Sequence, residues 1–203
     1  NIFKKRTLNI ANFISLIINH FKLKNVFKKI TLVLIEPNYL HFEEKPYKFS
    51  SMVIPAAINS TNDNNPSRTI KLFFANNDPK SAGNSIFRSK GNVNTNNFRN
   101  VLSLNSYELL KILENTYLHK NSKVILRINC EGMEDEIIYK FKKYLANRLM
   151  GIMGSLKDVK SIKGKKEYTQ LIEFLDDEEI NFIPFSDDIE TWNRAHSFLY
   201  SLL

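Results

Sequence analysis

Short continuous apolar runs recur along the chain and predict β-strands. Runs that stay apolar at successive positions, instead of alternating with polar residues, are typical of strands buried on both faces in a parallel sheet. The four strongest are "TLVLIEPN" (31–38), "SSMVIPAAI" (50–58), "TIKLFFA" (69–75) and "KVILRINCE" (123–131). Shorter strands are predicted at 7–10, 100–104, 149–155 and 180–185.

Helical periodicity appears between these runs. Apolar residues at three- and four-residue spacing predict helices at 12–24, 107–118, 133–147, 166–176 and 188–202. Ser106 is a suitable N-cap for the second of them. The segment 76–100 is rich in Asn, Ser, Gly and Lys, which predicts a long irregular connection of the kind that often carries function.

The alternation of helices and strands is not interrupted by a linker rich in proline and glycine. This pattern predicts a single α/β domain over residues 1–203, with a mostly parallel sheet covered on both faces. The composition of the 203 residues, 43% hydrophobic and 25% charged, is that of an ordinary globular chain.

The chain has no uninterrupted apolar stretch of the length that a transmembrane helix needs. Asn12 and Asn19 interrupt the most apolar early run, so neither a membrane span nor a signal peptide is predicted. The single cysteine, Cys130, excludes an internal disulfide and fits a reducing compartment. We therefore expect a cytoplasmic protein in which Cys130 is a buried, inert thiol.

The formal net charge is +8, with an isoelectric point near 9.4. The basic residues are scattered, without the stripe of lysine, arginine and aromatic residues that is typical of nucleic-acid binders. This favours acidic substrates or peripheral contact with an anionic membrane over nucleic acid. The oligomeric state is left open by the sequence, and a homo-oligomer is one alternative. The four histidines are far apart in sequence and predict no metal site.

Ligands of open α/β sheets bind outside the carboxyl ends of the strands. Glu36 ends the run 31–38, where its carboxylate could accept hydrogen bonds from both hydroxyls of a ribose. A solvated carboxylate at a strand end is the alternative. In "RINCEGMEDEII" (127–138), carboxylates within the first helical turn offset the positive end of the helix dipole. Glu131 lies before the break at Gly132, so it fits a functional site better than a helix start.

The order of these segments resembles the FkbM-type S-adenosylmethionine-dependent methyltransferase family. Its pattern contains a strand ending in "EP", a strand closing on a "tlD" motif and a further strand with "lKiDvEGaE". The corresponding segments are "IEPN" (35–38), "VLSLNS" (101–106) and "VILRINCEGMEDE" (124–136). The resemblance covers about residues 7–145, and "EYTQLIEFLDDEEINFIPF" (167–185) is similar to the family's closing helix and strand.

The resemblance implies a Rossmann-like class I methyltransferase fold, a three-layer sandwich with a mostly parallel seven-stranded sheet. It implies an S-adenosylmethionine-dependent O-methyltransferase that acts on a hydroxyl of a sugar, glycan or similar small acceptor. The implied cofactor-binding residues are Asn9, Ala11, Asn12, Glu36, Asn38, Ala56 and Ala57. The implied catalytic residues are Asn129, Glu131 and Glu134, and the candidate acceptor contacts are Ser81, Asn84 and Ser85. His41 is a further candidate base, and a plain connecting loop is the alternative for 81–87.

The chain also departs from the family pattern. The stretch "NIANFIS" (9–15) has no glycine where the family has a glycine-rich cofactor turn, so either this loop is altered or residues are missing between Ile10 and Ala11. Asn9, Asn105 and Asn129 stand where the family usually has aspartate, and an amide cannot act as a base at neutral pH. The second hypothesis is therefore a catalytically inactive binding or scaffold protein with the same fold. A nucleotide-binding α/β protein is a weaker third, because no phosphate-cradling loop is present.

Overall fold

A computed structural model describes residues 30–48, 50–59 and 68–185, together with the single positions 194, 197 and 198. The predicted strand at 7–10 and the predicted helix at 12–24 lie outside the described residues, as does nearly all of the helix at 188–202. The candidate cofactor residues Asn9, Ala11 and Asn12 also lie outside them.

Strands and helices alternate along the described residues. The strands are β1 (Val33–Ile35), β2 (Met52–Ile54), β3 (Ala56–Ile58), β4 (Thr69–Ala75), β5 (Val93–Leu104), β6 (Val124–Ile128), β7 (Leu149–Gly154) and β8 (Phe182–Pro184). The α-helices are α1 (Lys45–Lys48), α2 (Ser106–Thr116), α3 (Glu134–Leu145), α4 (Lys157–Ile162) and α5 (Lys165–Asp177). Short 3₁₀ turns lie at Tyr39–His41 and Ala146–Arg148.

The strands of the described residues form three small sheets. β1 pairs with β2 in parallel, and β6, β7 and β8 form a second sheet in which every pair is parallel. In the third sheet, β5 runs parallel to β3 and antiparallel to β4. The predicted α/β class with a mainly parallel arrangement is thus confirmed.

The single seven-stranded sheet implied by the resemblance is not what these residues form. Pro55 separates β2 from β3, and proline has no backbone N–H with which to continue a ladder of hydrogen bonds. The ladder therefore stops at Pro55, and β2 and β3 pair with different neighbours.

One hydrophobic core nevertheless joins the three sheets. Buried residues from each sheet and from four of the helices belong to one cluster, which includes Ile54, Ile58, Leu109, Ile128, Ile138, Ile152, Val159 and Leu171. Burying a side chain of this size stabilises the fold by about 1.5–3 kcal/mol. The sheets are therefore held together by side-chain packing, although no backbone ladder between them is described.

The prediction of an irregular connection over residues 76–100 is wrong for its last third. Residues 93–100 belong to β5, the longest strand of the described chain, which pairs with β4 through a register shift between Phe73 and Phe74. Asparagine is depleted in strands, and four asparagines in this stretch predicted a loop. They are tolerated because Asn96, Asn97 and Asn100 are exposed, so their amides stay in contact with water.

Helix α2 begins at Ser106, and its N-cap is Asn105, not the predicted Ser106. The Asn105 side chain accepts a hydrogen bond from the Glu108 N–H at 2.8 Å, and the Glu108 carboxylate accepts one from the Asn105 N–H at 2.9 Å. This capping box uses two backbone donors that would otherwise lack partners. It gives Asn105 a structural role at a position where the family usually has aspartate. Helix α4 was not predicted, and only one of its residues, Val159, is buried in the core.

The turn between β6 and α3 has a left-handed backbone at two successive residues. Glu131 has φ of 55° and Gly132 has φ of 121°. A Cβ added at Gly132 would lie 2.8 Å from Ile162 Cδ1 and 2.9 Å from the Phe87 ring. Gly132 is thus required both by its backbone angle and by the close approach of these two side chains.

We predict that Gly132→Ala lowers the free energy of unfolding by about 2–4 kcal/mol, because it adds a strained φ angle and an overpacked methyl group. Urea denaturation at constant m-value measures the change. Gly91→Ala is the matched control, since a Cβ there meets no atom within 4 Å; it should change stability by less than about 0.5 kcal/mol. Equal effects of the two substitutions would contradict the assigned role of Gly132.

Candidate functional site

The candidate site lies where the carboxyl ends of β1 and β6 meet the connection between β4 and β5. We call residues 76–92 the insert. Asn38, just after β1, donates from Nδ2 to the Pro79 carbonyl of the insert at 2.7 Å. Ser85 of the insert donates from Oγ to the Glu131 carbonyl, just after β6, at 2.9 Å. The insert therefore connects the two strand ends that sequence analysis singled out.

Glu36 holds the turn that follows β1. Its Oε1 accepts a hydrogen bond from the Asn38 N–H at 2.7 Å, and its Oε2 accepts one from the Tyr47 hydroxyl at 3.0 Å. Burial, and then the charge of Glu36, raise the pKa of Tyr47, so the phenol stays protonated and donates. Each carboxylate oxygen has a second lone pair, so Glu36 keeps acceptor capacity for a ligand.

Asn38 is nearly fully buried, and its side chain joins three segments. Besides the bond to the insert, its Oδ1 accepts from the Leu40 N–H at 3.3 Å and from Arg99 Nη1 of β5 at 3.2 Å. Arg99 also lies over the Tyr39 ring, 4.4 Å from its centroid. The described contacts of Asn38 thus give it a structural role beside the site, where it connects the turn after β1 to the insert and to β5.

Glu134 closes the turn between β6 and α3. It is fully buried, and its two oxygens accept hydrogen bonds from the Cys130 N–H at 2.7 Å and the Gly132 N–H at 2.9 Å. Burial raises the pKa of Glu134, and these backbone donors act in the opposite direction. Its role as a base stays a prediction, while its observed contacts stabilise the left-handed turn.

Glu131 is paired with Lys90 of the insert, a residue that sequence analysis did not single out. Lys90 Nζ bonds to Glu131 Oε2, donates to the Gly83 carbonyl at 3.1 Å and lies 3.7 Å from Asp158 Oδ2. Asn129 donates from Nδ2 to Glu131 Oε1 at 3.1 Å. A lone lysine in a polar segment has no signature in the sequence, so only the fold reveals this pairing.

Ser81, Asn84 and Ser85, the candidate contacts to the methyl acceptor, form hydrogen bonds that stabilise the conformation of the insert. Ser81 Oγ accepts from the Gly83 N–H at 3.2 Å, and Asn84 Oδ1 accepts from the Ala75 N–H at 2.8 Å. Ser85 is buried, and its Oγ also accepts from the Phe87 N–H at 3.1 Å. These contacts make the insert an ordered part of the site, and contact with an acceptor stays a prediction.

The described contacts of the remaining candidates, His41, Ala56 and Ala57, are with residues outside the Glu131 turn. His41 Nδ1 lies 2.5 Å from Glu44 Oε1 in the turn after β1. Ala56 and Ala57, on β3, are both buried: Ala56 belongs to the main core, and Ala57 packs in a small cluster with Leu72 and Val101. Their role in cofactor binding stays a prediction.

The chain was compared with protein-family models, curated proteins and solved structures. No match was found in any of the three comparisons. The resemblance to the FkbM-type methyltransferases therefore stays a prediction that depends on the motifs alone. Among the described residues, no group of three or more His, Cys, Asp and Glu side chains is arranged to hold a metal ion. No helix in the described part of the chain has the length and apolarity to cross a membrane.

Lys90→Met leaves the nearly buried Glu131 carboxylate without its cation. We predict that it lowers the free energy of unfolding by about 3–5 kcal/mol. The double variant Lys90→Met/Glu131→Gln removes the charge as well, so its loss should be smaller than the sum of the two single losses by at least about 1 kcal/mol. Chemical denaturation of the four proteins measures this coupling.

The matched control for that cycle is Lys48→Met. Lys48 pairs with Glu43 at 2.8 Å, but both side chains are well exposed. An exposed pair contributes little to stability, so this substitution should leave the unfolding transition unchanged. Additive losses in the Lys90–Glu131 cycle would show that the buried pair does not couple the insert to the turn.

The reactivity of the Cys130 thiol measures the burial and charge of the turn between β6 and α3. Cys130 as a residue is partly buried, and not fully buried as predicted. Burial of the thiol raises its pKa to about 12, and the charges of Glu134 and Glu36 act in the same direction. At pH 8 the thiolate fraction should be about a thousandfold lower than in the unfolded chain, and reaction with a disulfide reagent slower in proportion. The rate should rise with pH over the range in which the fold is retained, because the thiolate fraction rises. A rate in the native protein close to that in urea would contradict the prediction.

Proposed function

We propose that this chain is an S-adenosylmethionine-dependent O-methyltransferase that acts on a hydroxyl of a sugar, glycan or other small acceptor. The observation that carries the proposal is the meeting of "IEPN" and "NCEGMED" at one edge of the molecule. The insert bonds to Asn38, two residues after Glu36, and to the Glu131 carbonyl, so it connects both strand ends. In parallel α/β folds this edge is where ligands bind.

We further propose that the three small sheets belong to a Rossmann-like class I arrangement. The parallel pairing of β1 with β2, and of β6 with β7 and β8, is compatible with such a fold. The packing of all three sheets into one core supports the same arrangement.

S-adenosylmethionine supplies an activated methyl group, so the protein has mainly to position the acceptor and to take up its proton. Glu36 is placed to accept hydrogen bonds from the ribose hydroxyls through its unused lone pairs. Asn129 is exposed at the end of β6, where its amide can orient an acceptor hydroxyl. Glu131 is the candidate proton acceptor, and Lys90 and Asn129 fix its orientation.

The second candidate function is a catalytically inactive binding protein with the same fold. The observation that favours it is the engagement of the candidate bases within the protein. Both oxygens of Glu134 accept backbone N–H groups, and both oxygens of Glu131 have side-chain partners. A group that holds the turn together is less free to exchange protons with an acceptor.

Calorimetric titration with S-adenosylhomocysteine tests the proposal. We expect saturable binding, and Glu36→Ala should weaken it at least about tenfold because hydrogen bonds to a charged group are lost. Glu173→Ala, which removes an exposed carboxylate on α5, is the control and should bind as the parent does. Tyr47→Phe removes only the hydroxyl that donates to Glu36. Comparing it with Glu36→Ala therefore distinguishes the effect of losing the carboxylate from the effect of losing this hydrogen bond.

Three outcomes of this titration differ in meaning. Absence of binding by folded protein would overturn the enzyme proposal. Undiminished binding by a folded Glu36→Ala variant would overturn the assignment of Glu36. Binding without methyl transfer to any offered sugar or glycan would favour the inactive binding protein.

A further inference from the structure

One face of the β4–β5 hairpin combines exposed apolar side chains with cations. Lys71 pairs with Asn100 across the hairpin, Phe73 with Phe98 and Thr69 with Leu102, so these residues share a face. Arg88 of the insert joins this surface, because its guanidinium lies 5.8 Å from the centroid of the Phe73 ring. We call the surface made by Lys71, Arg88, Phe98 and Leu102 the hairpin face.

The two apolar side chains of the hairpin face are exposed to solvent. Leu102 is 55% exposed and Phe98 is 37% exposed. Lys71 Nζ lies 3.9 Å from the centroid of the Phe98 ring, so a cation sits directly beside an exposed aromatic group. Single exposed apolar residues are ordinary, but an aliphatic and an aromatic side chain flanked by two cations form an amphipathic patch.

The segment that carries the hairpin face, residues 68–104, has many more basic than acidic residues. Residues 68–104 contain the basic residues Arg68, Lys71, Lys80, Arg88, Lys90 and Arg99 and one acidic residue, Asp78. The Asp78 carboxylate accepts a hydrogen bond from the Lys80 N–H at 2.8 Å within the insert. Lys90 is engaged with Glu131 and Arg99 with Asn38, whereas Lys71 and Arg88 are exposed on the hairpin face.

We propose that the hairpin face is a docking surface for an anionic lipid bilayer. Leu102 and Phe98 would enter the interfacial region of the lipids, while Lys71 and Arg88 would reach the headgroup phosphates with their long side chains. The complementarity of the positive hairpin and a negative leaflet supplies the attraction. This surface is formed by residues other than the candidate catalytic ones, so the proposal does not depend on the methyltransferase assignment.

Lipid fits the hairpin face better than single-stranded nucleic acid does. Nucleic-acid platforms present open aromatic faces on which bases stack. Here Lys71 lies over the Phe98 ring, and the most exposed apolar side chain, Leu102, is aliphatic and offers no stacking surface. A lipid interface uses both groups, because it takes up aliphatic and aromatic side chains alike.

Co-sedimentation of the full chain with vesicles tests the proposal. We expect binding to vesicles of phosphatidylcholine with phosphatidylserine, weaker binding to phosphatidylcholine alone, and loss of binding at high salt. Each cation near a charged membrane changes partitioning about fivefold, so Lys71→Gln/Arg88→Gln should reduce it about 25-fold. Leu102→Ser should reduce it several-fold without reducing its salt dependence.

Lys111→Gln is the matched control. Lys111 also lies over an exposed aromatic ring, that of Tyr107, at 4.5 Å, but it belongs to α2 and not to the hairpin. It should leave partitioning almost unchanged. Thermal denaturation of each variant checks that the fold is retained, which is expected because the substituted side chains are exposed.

Several results would overturn the proposal. These are an absence of binding to anionic vesicles, an equal loss in the Lys111 control, or binding that the hairpin substitutions leave intact. Tighter binding of oligouridylate than of vesicles, lost in the same hairpin variants, would assign the surface to nucleic acid instead.

Discussion

The left-handed turn at Glu131 and Gly132 is the constraint on which the rest of the site depends. Two successive residues with positive φ bring the end of β6 directly into α3. The buried Glu134 carboxylate accepts the N–H groups on either side of Glu131 and so offsets the cost of this conformation. Without this turn, the Glu131 carbonyl and carboxylate would not face the insert.

The insert is ordered because it is bonded at both of its ends to strand termini. Asn38 bonds to Pro79, Ser85 bonds to the Glu131 carbonyl, and Lys90 pairs with the Glu131 carboxylate. A buried ion pair contributes little net stability, since desolvation of both ions opposes their attraction. It does penalise any arrangement in which one partner is left alone. The Lys90–Glu131 pair therefore contributes to conformational specificity: it favours the one position of the insert in which both charged groups are paired.

Much of the local structure could be predicted from the order of residues. The amphipathic stripe that predicted a helix at 133–147 corresponds to α3, and the apolar run 69–75 is β4 with the same bounds. Residues 93–100 were missed, because their strand character comes from pairing with β4 and not from their own composition. The N-cap was misplaced by one residue because both Asn105 and Ser106 have capping side chains, and only the backbone angles distinguish them.

Within the site, the sequence by itself determined the residue types at the strand ends: the Glu36 carboxylate after β1, and the carboxylates and glycine after β6. Those features follow from short-range patterns of apolar runs and breaks, which need no knowledge of distant contacts. Only the tertiary structure decided the partners. Lys90 reaches Glu131 across 41 positions of sequence separation, and Asn38 reaches Arg99 across 61. No periodicity encodes such pairs, because they arise where packing brings separate segments to the same edge of the fold.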